Sequence, residues 1–317
     1  MSRTIFAFWE PRGSIPPYLR LCMKTWGRLR DRDVVVLDYA TLPDYVCDPR
    51  LDLAAVKRVP LFVQKDAILA AVLHAHGGVF MDLDTLVVRD IEPLLGTLDG
   101  TELVTFHTHL GFAMARAGAK VLDRMLTEID WRLRSLPTRD PADEIPWNWL
   151  GNEPLEATMD EMAAEAGGKP PGAWLVDGAV DRLLAAGARA GANPWLARLA
   201  RGVRWRRRLL WFRTIHARHY TMLDRERHAF LPERLFFREA GPRLSDDYRR
   251  YWFTTEAPLA SVWHPGQTVI GLHNSWTPDW YRGLSEAEVL SHDCLLSRTL
   301  RQLIETEASP GGPTDRS

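Results

Sequence analysis

Cysteine is scarce in this chain of 317 residues, which has three: Cys22, Cys47 and Cys294. They are odd in number, widely spaced and form no Cys-x-x-Cys pair. This pattern argues against a disulfide framework or a zinc knuckle. A reducing compartment fits it best.

Net charge is also nearly absent. The chain has 40 Lys and Arg residues and 41 Asp and Glu residues, which gives a formal net charge of -1. A nearly neutral chain has no general attraction for nucleic acid, so we expect no nucleic-acid partner. Any partner that binds through charge must therefore contact a local patch of charged residues.

Long apolar runs are missing as well. The best candidate, residues 67–73, ends at His74, far short of the roughly 18 apolar residues that indicate a membrane-spanning helix. Residues 1–10 run almost directly into a strand-like segment and lack the pattern of a signal peptide. We therefore expect a cytoplasmic protein, with any membrane contact peripheral and on the inner face.

Short apolar runs alternate with helix-like segments through the first half of the chain. Residues 4–9 and 34–37 predict strands on either side of a helix at 18–29, a β-α-β opening typical of a mainly parallel sheet flanked by helices. The further predictions are a helix from Pro60 to the stop at Gly77, strands at 79–81, 103–106 and 111–115, and a helix at 119–133. The fold class is therefore α/β.

The second half is less regular. Residues 155–212 are rich in Ala, compatible with helices and interrupted by Gly and Pro, which predicts a helical insertion. Strand character returns at 229–237 and 268–272. We predict a single domain over residues 1–304 and a disordered tail over 305–317, whose last part is rich in Pro, Gly and Ser.

Two carboxylates, Asp82 and Asp84, follow the apolar segment 79–81. Residues i and i+2 of an extended chain point to the same side, so a slight turn at the strand end lets both approach one hard cation. Mg²⁺ and Mn²⁺ prefer such oxygen ligands and retain positions for phosphate and water. The alternative is a merely solubilising strand edge, but carboxylates directly after a buried strand cost stability unless a cation or donors satisfy them.

Several short motifs occur in a fixed order along the chain. They are Phe8-Trp9-Glu10, Gln64-Lys65-Asp66, Gly77-Gly78 with Asp82-Leu83-Asp84, Gly111-Phe112-Ala113-Met114-Ala115, Leu231-Pro232, and His273-Asn274-Ser275-Trp276. In this order they resemble the motifs of the bacterial capsular polysaccharide synthesis glycosyltransferases and the related sugar transferases that carry an Asp-x-Asp motif. The resemblance covers most of the chain except the insertion and the tail.

The resemblance implies a glycosyltransferase A fold with a Rossmann-like sheet. It implies transfer of a sugar, with retention of configuration, from a nucleotide-diphosphate donor to a glycan or lipid-linked acceptor in surface polysaccharide synthesis, with UDP-sugars favoured. The implied cofactor is Mn²⁺ or Mg²⁺ held by Asp82, Asp84 and His273, with Asp82 and Asp84 as the catalytic residues. The implied substrate-binding residues are Phe8, Trp9, Asp66, Gly78, Asp82, Asn274, Ser275 and Trp276.

The chain departs from the family pattern at Leu69, where the family usually has an arginine three residues after Asp66. This puts the identity of the donor sugar in doubt, because two charge-assisted hydrogen bonds are lost unless another arginine replaces them. Asp66 can alternatively be a helix-start charge that favours the helix dipole.

A basic and aromatic segment occupies residues 198–213 and contains Arg204, Trp205 and Trp211. This composition suits a helix lying on an anionic membrane, where a lipid-linked acceptor would be found. A solvated arginine face with its aromatic side chains packed inward is the alternative.

Two rival functions remain open from the sequence. The segment from Val79 to Thr85 also resembles the Asp-x-Asp-x-Thr strand of haloacid-dehalogenase-type phosphohydrolases, in which Asp82 would be the nucleophile. That motif normally lies on the first strand, whereas a β-α-β unit precedes it here. The other rival is a sugar-nucleotide or glycan-binding protein without turnover.

Overall fold

The computed structural model describes residues 2–106, 109–136, 145–165, 220–223, 244–263 and 267–308. The predicted strand at 229–237, the basic segment 198–213 and most of the predicted helical insertion lie outside these residues. Within the described ranges, every helix is too short or too polar to cross a bilayer.

The sequence folds into a mixed α/β structure. Its strands are β1 (Thr4–Phe8), β2 (Asp33–Leu37), β3 (Gly78–Met81), β4 (Thr85–Val87), β5 (Leu103–Phe106), β6 (His109–Ala115), β7 (Tyr220–Leu223) and β8 (Val269–Gly271). Its helices are α1 (Pro17–Lys24), α2 (Leu53–Val56), α3 (Leu61–His76), α4 (Glu92–Leu95), α5 (Lys120–Arg134), α6 (Asn152–Glu165), α7 (Leu244–Trp252), α8 (Asp279–Arg282), α9 (Glu286–Ser291) and α10 (Leu295–Ala308).

The central sheet has six strands in the order β2-β1-β3-β6-β5-β7. Strand β1 is parallel to β2 and β3, and β5 is parallel to β7, whereas β6 is antiparallel to both β3 and β5. The predicted β-α-β opening and mainly parallel sheet are therefore confirmed. Strands β4 and β8 pair with each other as a separate antiparallel ribbon.

Helices cover both faces of the sheet. Alternate side chains of the central strands point to opposite faces and therefore pack into two separate cores. Ile5 and Val79 join a core that includes residues of α1, α7 and α10. Phe6 and Phe80 join a second core that includes residues of α3, α5 and α6. The edge of the sheet where β1 and β3 end therefore lies between two helical layers.

The connection from α3 to β3 depends on two glycines. Helix α3 ends at Gly77, whose φ of 62° is in the left-handed region that favours glycine. Gly78 has φ 101°, and a Cβ there would lie 2.6 Å from the carbonyl oxygen of Thr4. These glycines let β3 run close beside β1.

One bound differs clearly from the sequence predictions: the predicted helix at 18–29 is α1 up to Lys24, followed by a 3-10 turn at Thr25–Arg28. The predicted strand at 268–272 is confirmed as β8, which pairs with β4. Helix α6 begins at Asn152 and α10 ends at Ala308. The bounds of the predicted domain and of its insertion stay predictions.

Candidate functional site

The chain leaves β3 through a turn that carries both carboxylates. The backbone N–H of Asp82 donates to the carbonyl oxygen of Gly111 over 2.8 Å, and Thr85 N–H donates to the carbonyl of Asp82 over 3.0 Å. Asp84 lies in this turn, immediately before β4. The predicted turn at the strand end is present, at an edge where open α/β sheets bind ligands.

Helix α3 supplies a cation to this edge. The Lys65 Nζ donates to Oδ2 of Asp82 over 2.8 Å and lies 3.3 Å from Oδ1 of Asp66. The side chains of Lys65 and Asp82 are about one-fifth exposed, and that of Asp66 is 8% exposed. One ammonium therefore bridges two partly or fully buried carboxylates.

Negative charge exceeds positive charge around Lys65. Burial and the charge of Asp82 raise the pKa of Asp84 to about 7, although the Asn274 N–H and Lys65 oppose this shift. Burial also raises the pKa of Asp66 to about 6, against the attraction of Lys65. Burial alone would lower the pKa of Lys65, but Asp66, Asp82 and Asp84 outweigh it and raise that pKa. A second cation would relieve this imbalance.

Asp82 retains an unused acceptor. Its Oδ1 atom is buried and has no hydrogen-bond donor in the described part of the chain, which costs free energy unless a cation or a donor approaches. Hard carboxylate oxygens are the ligands that Mg²⁺ and Mn²⁺ prefer. The donor set of Asp82 and Asp84 therefore fits a divalent cation.

The segment after β8 closes the site from the other side. The backbone N–H of Asn274 donates to Oδ2 of Asp84 over 2.8 Å, and the amide oxygen of Asn274 accepts from the Tyr18 hydroxyl over 2.5 Å. The N–H of His273 donates to the Tyr248 hydroxyl over 3.2 Å. Both tyrosines are buried, so α1 and α7 fix this segment beside Asp84.

His273 directly precedes Asn274, whose backbone N–H binds Asp84. It does not form a three-ligand group with the two carboxylates. In residues 2–106, 109–136, 145–165, 220–223, 244–263 and 267–308, no three His, Cys, Asp or Glu side chains are grouped to hold a metal ion. The His273 ring packs against Trp276, with 4.1 Å between ring centroids. Ligation by His273 stays a prediction.

The predicted substrate-binding residues fall into different environments. Ser275 is exposed and Trp276 half-buried, next to Asp84 through Asn274. Trp9 is half-buried at the end of β1, and its indole N–H donates to the Ser14 hydroxyl over 3.2 Å. These three side chains lie at the edge of the sheet or in the segment that closes it.

Phe8 and Gly78 have structural roles. Phe8 is 5% exposed and packs edge-on against Tyr39 in the core beneath α3. Gly78 begins β3, four residues before Asp82, so roughly 13 Å of strand separates it from the site. Close approach to Thr4 accounts for this glycine. Substrate contact by either residue stays a prediction.

Asp66 is covered by a turn of the chain. Gly151 lies directly against its carboxylate, and a Cβ at position 151 would lie 2.7 Å from Cγ of Asp66. Asp66 is 5% exposed. Its carboxylate contacts Lys65 and Gly151, and sugar binding by Asp66 stays a prediction.

Three residues of the site had no assigned role: Lys65, Tyr18 and Tyr248. Lys65 and Asp66 are the only Asp, Glu, Lys or Arg residues of α3, and a charged pair in an apolar helix is a detectable signal. Tyr18 and Tyr248 give no comparable signal, because their partners are distant in the sequence.

Comparisons with known proteins leave the family open. No protein-family profile matches the chain, and no curated protein matches it. One similar solved structure is titled PaToxG Glycosyltransferase: the sequence identity is 12%, the TM-score is 0.35, and the match covers 53% of this chain and 72% of that one. At this similarity the function must be inferred from the site itself.

Proposed function

We propose that the chain is a metal-dependent glycosyltransferase that binds a nucleotide-diphosphate sugar through Mn²⁺ or Mg²⁺ held by Asp82 and Asp84. The observation that carries the proposal is the excess of carboxylates at the end of β3. Asp66, Asp82 and Asp84 face one ammonium, and Oδ1 of Asp82 lacks a donor. The order of motifs along the chain supports the same assignment.

The bound cation would supply positive charge where the nucleoside diphosphate leaves, which stabilises the transition state more than the ground state. The chain supplies the positions. The backbone N–H of Asn274 orients the Asp84 carboxylate, and the Asp82 backbone is fixed by Gly111. Trp9, Ser275 and Trp276 are the side chains available to line the donor site.

The donor class in this proposal is a UDP-sugar, and the acceptor is a glycan or a lipid-linked glycan of surface polysaccharide synthesis. Retention of the anomeric configuration belongs to the proposal as well. Proton NMR of the first-formed product would decide retention against inversion, since the two anomers give different signals for the anomeric proton.

Phosphohydrolase chemistry with Asp82 as nucleophile stays the alternative. Attack on phosphorus would require an Asp82 oxygen to reach the substrate, just as metal binding requires one to reach a cation, and Oδ2 is paired with Lys65 over 2.8 Å. The Asp-x-Asp-x-Thr motif of that class normally lies on the first strand, whereas Asp82 follows β3.

The test is a panel of nucleotide-sugars incubated with purified protein and Mn²⁺, with release of nucleoside diphosphate as the readout. Turnover that disappears in excess chelator and returns with Mn²⁺ or Mg²⁺ is the expected result. Phosphate release from a generic monoester would favour the phosphohydrolase, and metal-dependent binding without turnover would favour a binding protein. An Asp33→Asn variant, altered at the exposed start of β2, is the matched control.

A further inference from the structure

Lys65 already occupies one oxygen that a divalent cation would need. Its Nζ lies 2.8 Å from Oδ2 of Asp82, within hydrogen-bond distance. A metal ion bound by Asp82 and Asp84 would bring two positive charges within a few ångströms of this ammonium. The repulsion between them opposes simultaneous binding to the same carboxylate.

Asp66 provides a second anchor for the same ammonium. Its Oδ1 lies 3.3 Å from Nζ, and Gly151 packs against the carboxylate from the other side. A lysine that leaves Asp82 can therefore remain close to the site. Its long, flexible stem and three donors suit a shift of a few ångströms towards a phosphate.

We propose that Lys65 is an internal counter-ion that a divalent cation displaces from Asp82 and that then contacts the diphosphate of the bound donor. This inference rests on the proposed function. It assigns two opposite effects to one side chain, because the ammonium competes with the metal ion but attracts the diphosphate.

The decisive variant is Lys65→Met, which removes the charge and keeps much of the apolar stem. Free Mn²⁺ is measured by electron paramagnetic resonance during titration without nucleotide. The variant should bind Mn²⁺ roughly tenfold more tightly than the wild type, a coupling of ordinary size between two sites. At saturating Mn²⁺, calorimetric titration with UDP should show roughly tenfold weaker binding by the variant.

Lys24→Met is the matched control, because Lys24 pairs with Glu286 over 2.7 Å on the protein surface, with half its side chain exposed. It should leave both titrations unchanged. Lys65→Arg keeps the charge and should bind Mn²⁺ and UDP within a few-fold of the wild type. Circular dichroism checks that each variant is folded, and Lys65→Gln replaces Lys65→Met if the latter is not.

Displacement of Lys65 from Asp82 by the metal ion, here called the exchange, is supported only if the variant binds Mn²⁺ more tightly and UDP more weakly than the wild type. If Mn²⁺ binds the charge-removing variant no more tightly than the wild type, or if UDP affinity is unchanged, the exchange is wrong even when the wild type hydrolyses a UDP-sugar. Failure of the proposed function has a different result: the wild type then neither binds UDP in the presence of Mn²⁺ nor turns over any nucleotide-sugar. That outcome overturns both proposals.

Discussion

Gly151 and Asp66 are in direct contact, although 85 positions separate them in the numbering. The turn that precedes Gly151 lies over the carboxylate and leaves Asp66 5% exposed. Glycine is required there by space and not by backbone conformation, since a Cβ at position 151 would overlap the Asp66 side chain. The contact fixes the start of α6 against α3, beside the site.

Gly151→Ala should therefore destabilise the protein by about 1–3 kcal/mol, the usual cost of adding atoms to a packed interior. Urea unfolding followed by circular dichroism measures the change. Gly100→Ala is the control, because a Cβ at position 100 meets nothing within 4 Å, and its effect should stay within about 0.5 kcal/mol. Equal effects of the two substitutions would contradict the packing.

Asp84→Asn should reduce nucleotide-sugar turnover at least about a hundredfold, which is typical for loss of one electrostatic stabiliser. Asp82→Asn should be nearly as severe. Asp84→Asn should also unfold at a temperature no lower than the wild type, because it removes a charge next to Asp82 and keeps an acceptor for Asn274. Activity within a few-fold of the wild type at saturating Mn²⁺ would contradict the site assignment.

Tyr18→Phe should loosen the segment that follows β8, because it removes the hydroxyl that donates to the Asn274 amide oxygen. We expect a loss of about 1 kcal/mol in the free energy of unfolding and a raised KM for the donor. Tyr251→Phe removes a hydroxyl bonded to Ser261 and should change stability by a similar amount with the KM unaltered. A KM unchanged in both variants would argue against a role of this segment in donor binding.

The stability contributed by Asp48 should depend on pH. Hydrogen bonds from Arg50 lower the pKa of Asp48 in the folded protein. Its stabilisation is therefore fully present above the unfolded pKa of about 4 and is lost as pH falls through the lower, folded pKa. Asp48→Asn should cost about 1 kcal/mol at pH 7, and the gap to the wild type should shrink as the pH falls below about 4. A constant difference across this range would contradict the ion pair.

Local patterns were sufficient to predict much of the central α/β unit. Strands β1, β2, β3 and β5, most of β6, and helices α3 and α5 have periodicities and stop signals that lie within each segment. Asp82 and Asp84 can be singled out as candidate ligands for the same reason, since their position after an apolar strand is visible in the sequence.

What escaped prediction depends on partners far along the chain. Strand β7 has four residues, and its pairing with β5 is a property of the folded sheet. The close approach of Gly78 to the Thr4 carbonyl, which lies 74 positions earlier in the numbering, is likewise invisible in the sequence. The charged pair of α3 is visible in the sequence, but the approach of Lys65 to Asp82 is a property of α3 packed on the sheet.

The hydrogen bond from Asn274 to Asp84 spans 190 positions of the chain, and the one from Tyr18 to Asn274 spans 256. At a synthesis rate of about 5–20 residues per second, roughly 10–40 s separate the appearance of Asp84 from that of Asn274. During that interval the chain lacks the backbone N–H that orients Asp84. The site can therefore be completed only after the segment that follows β8 has been made.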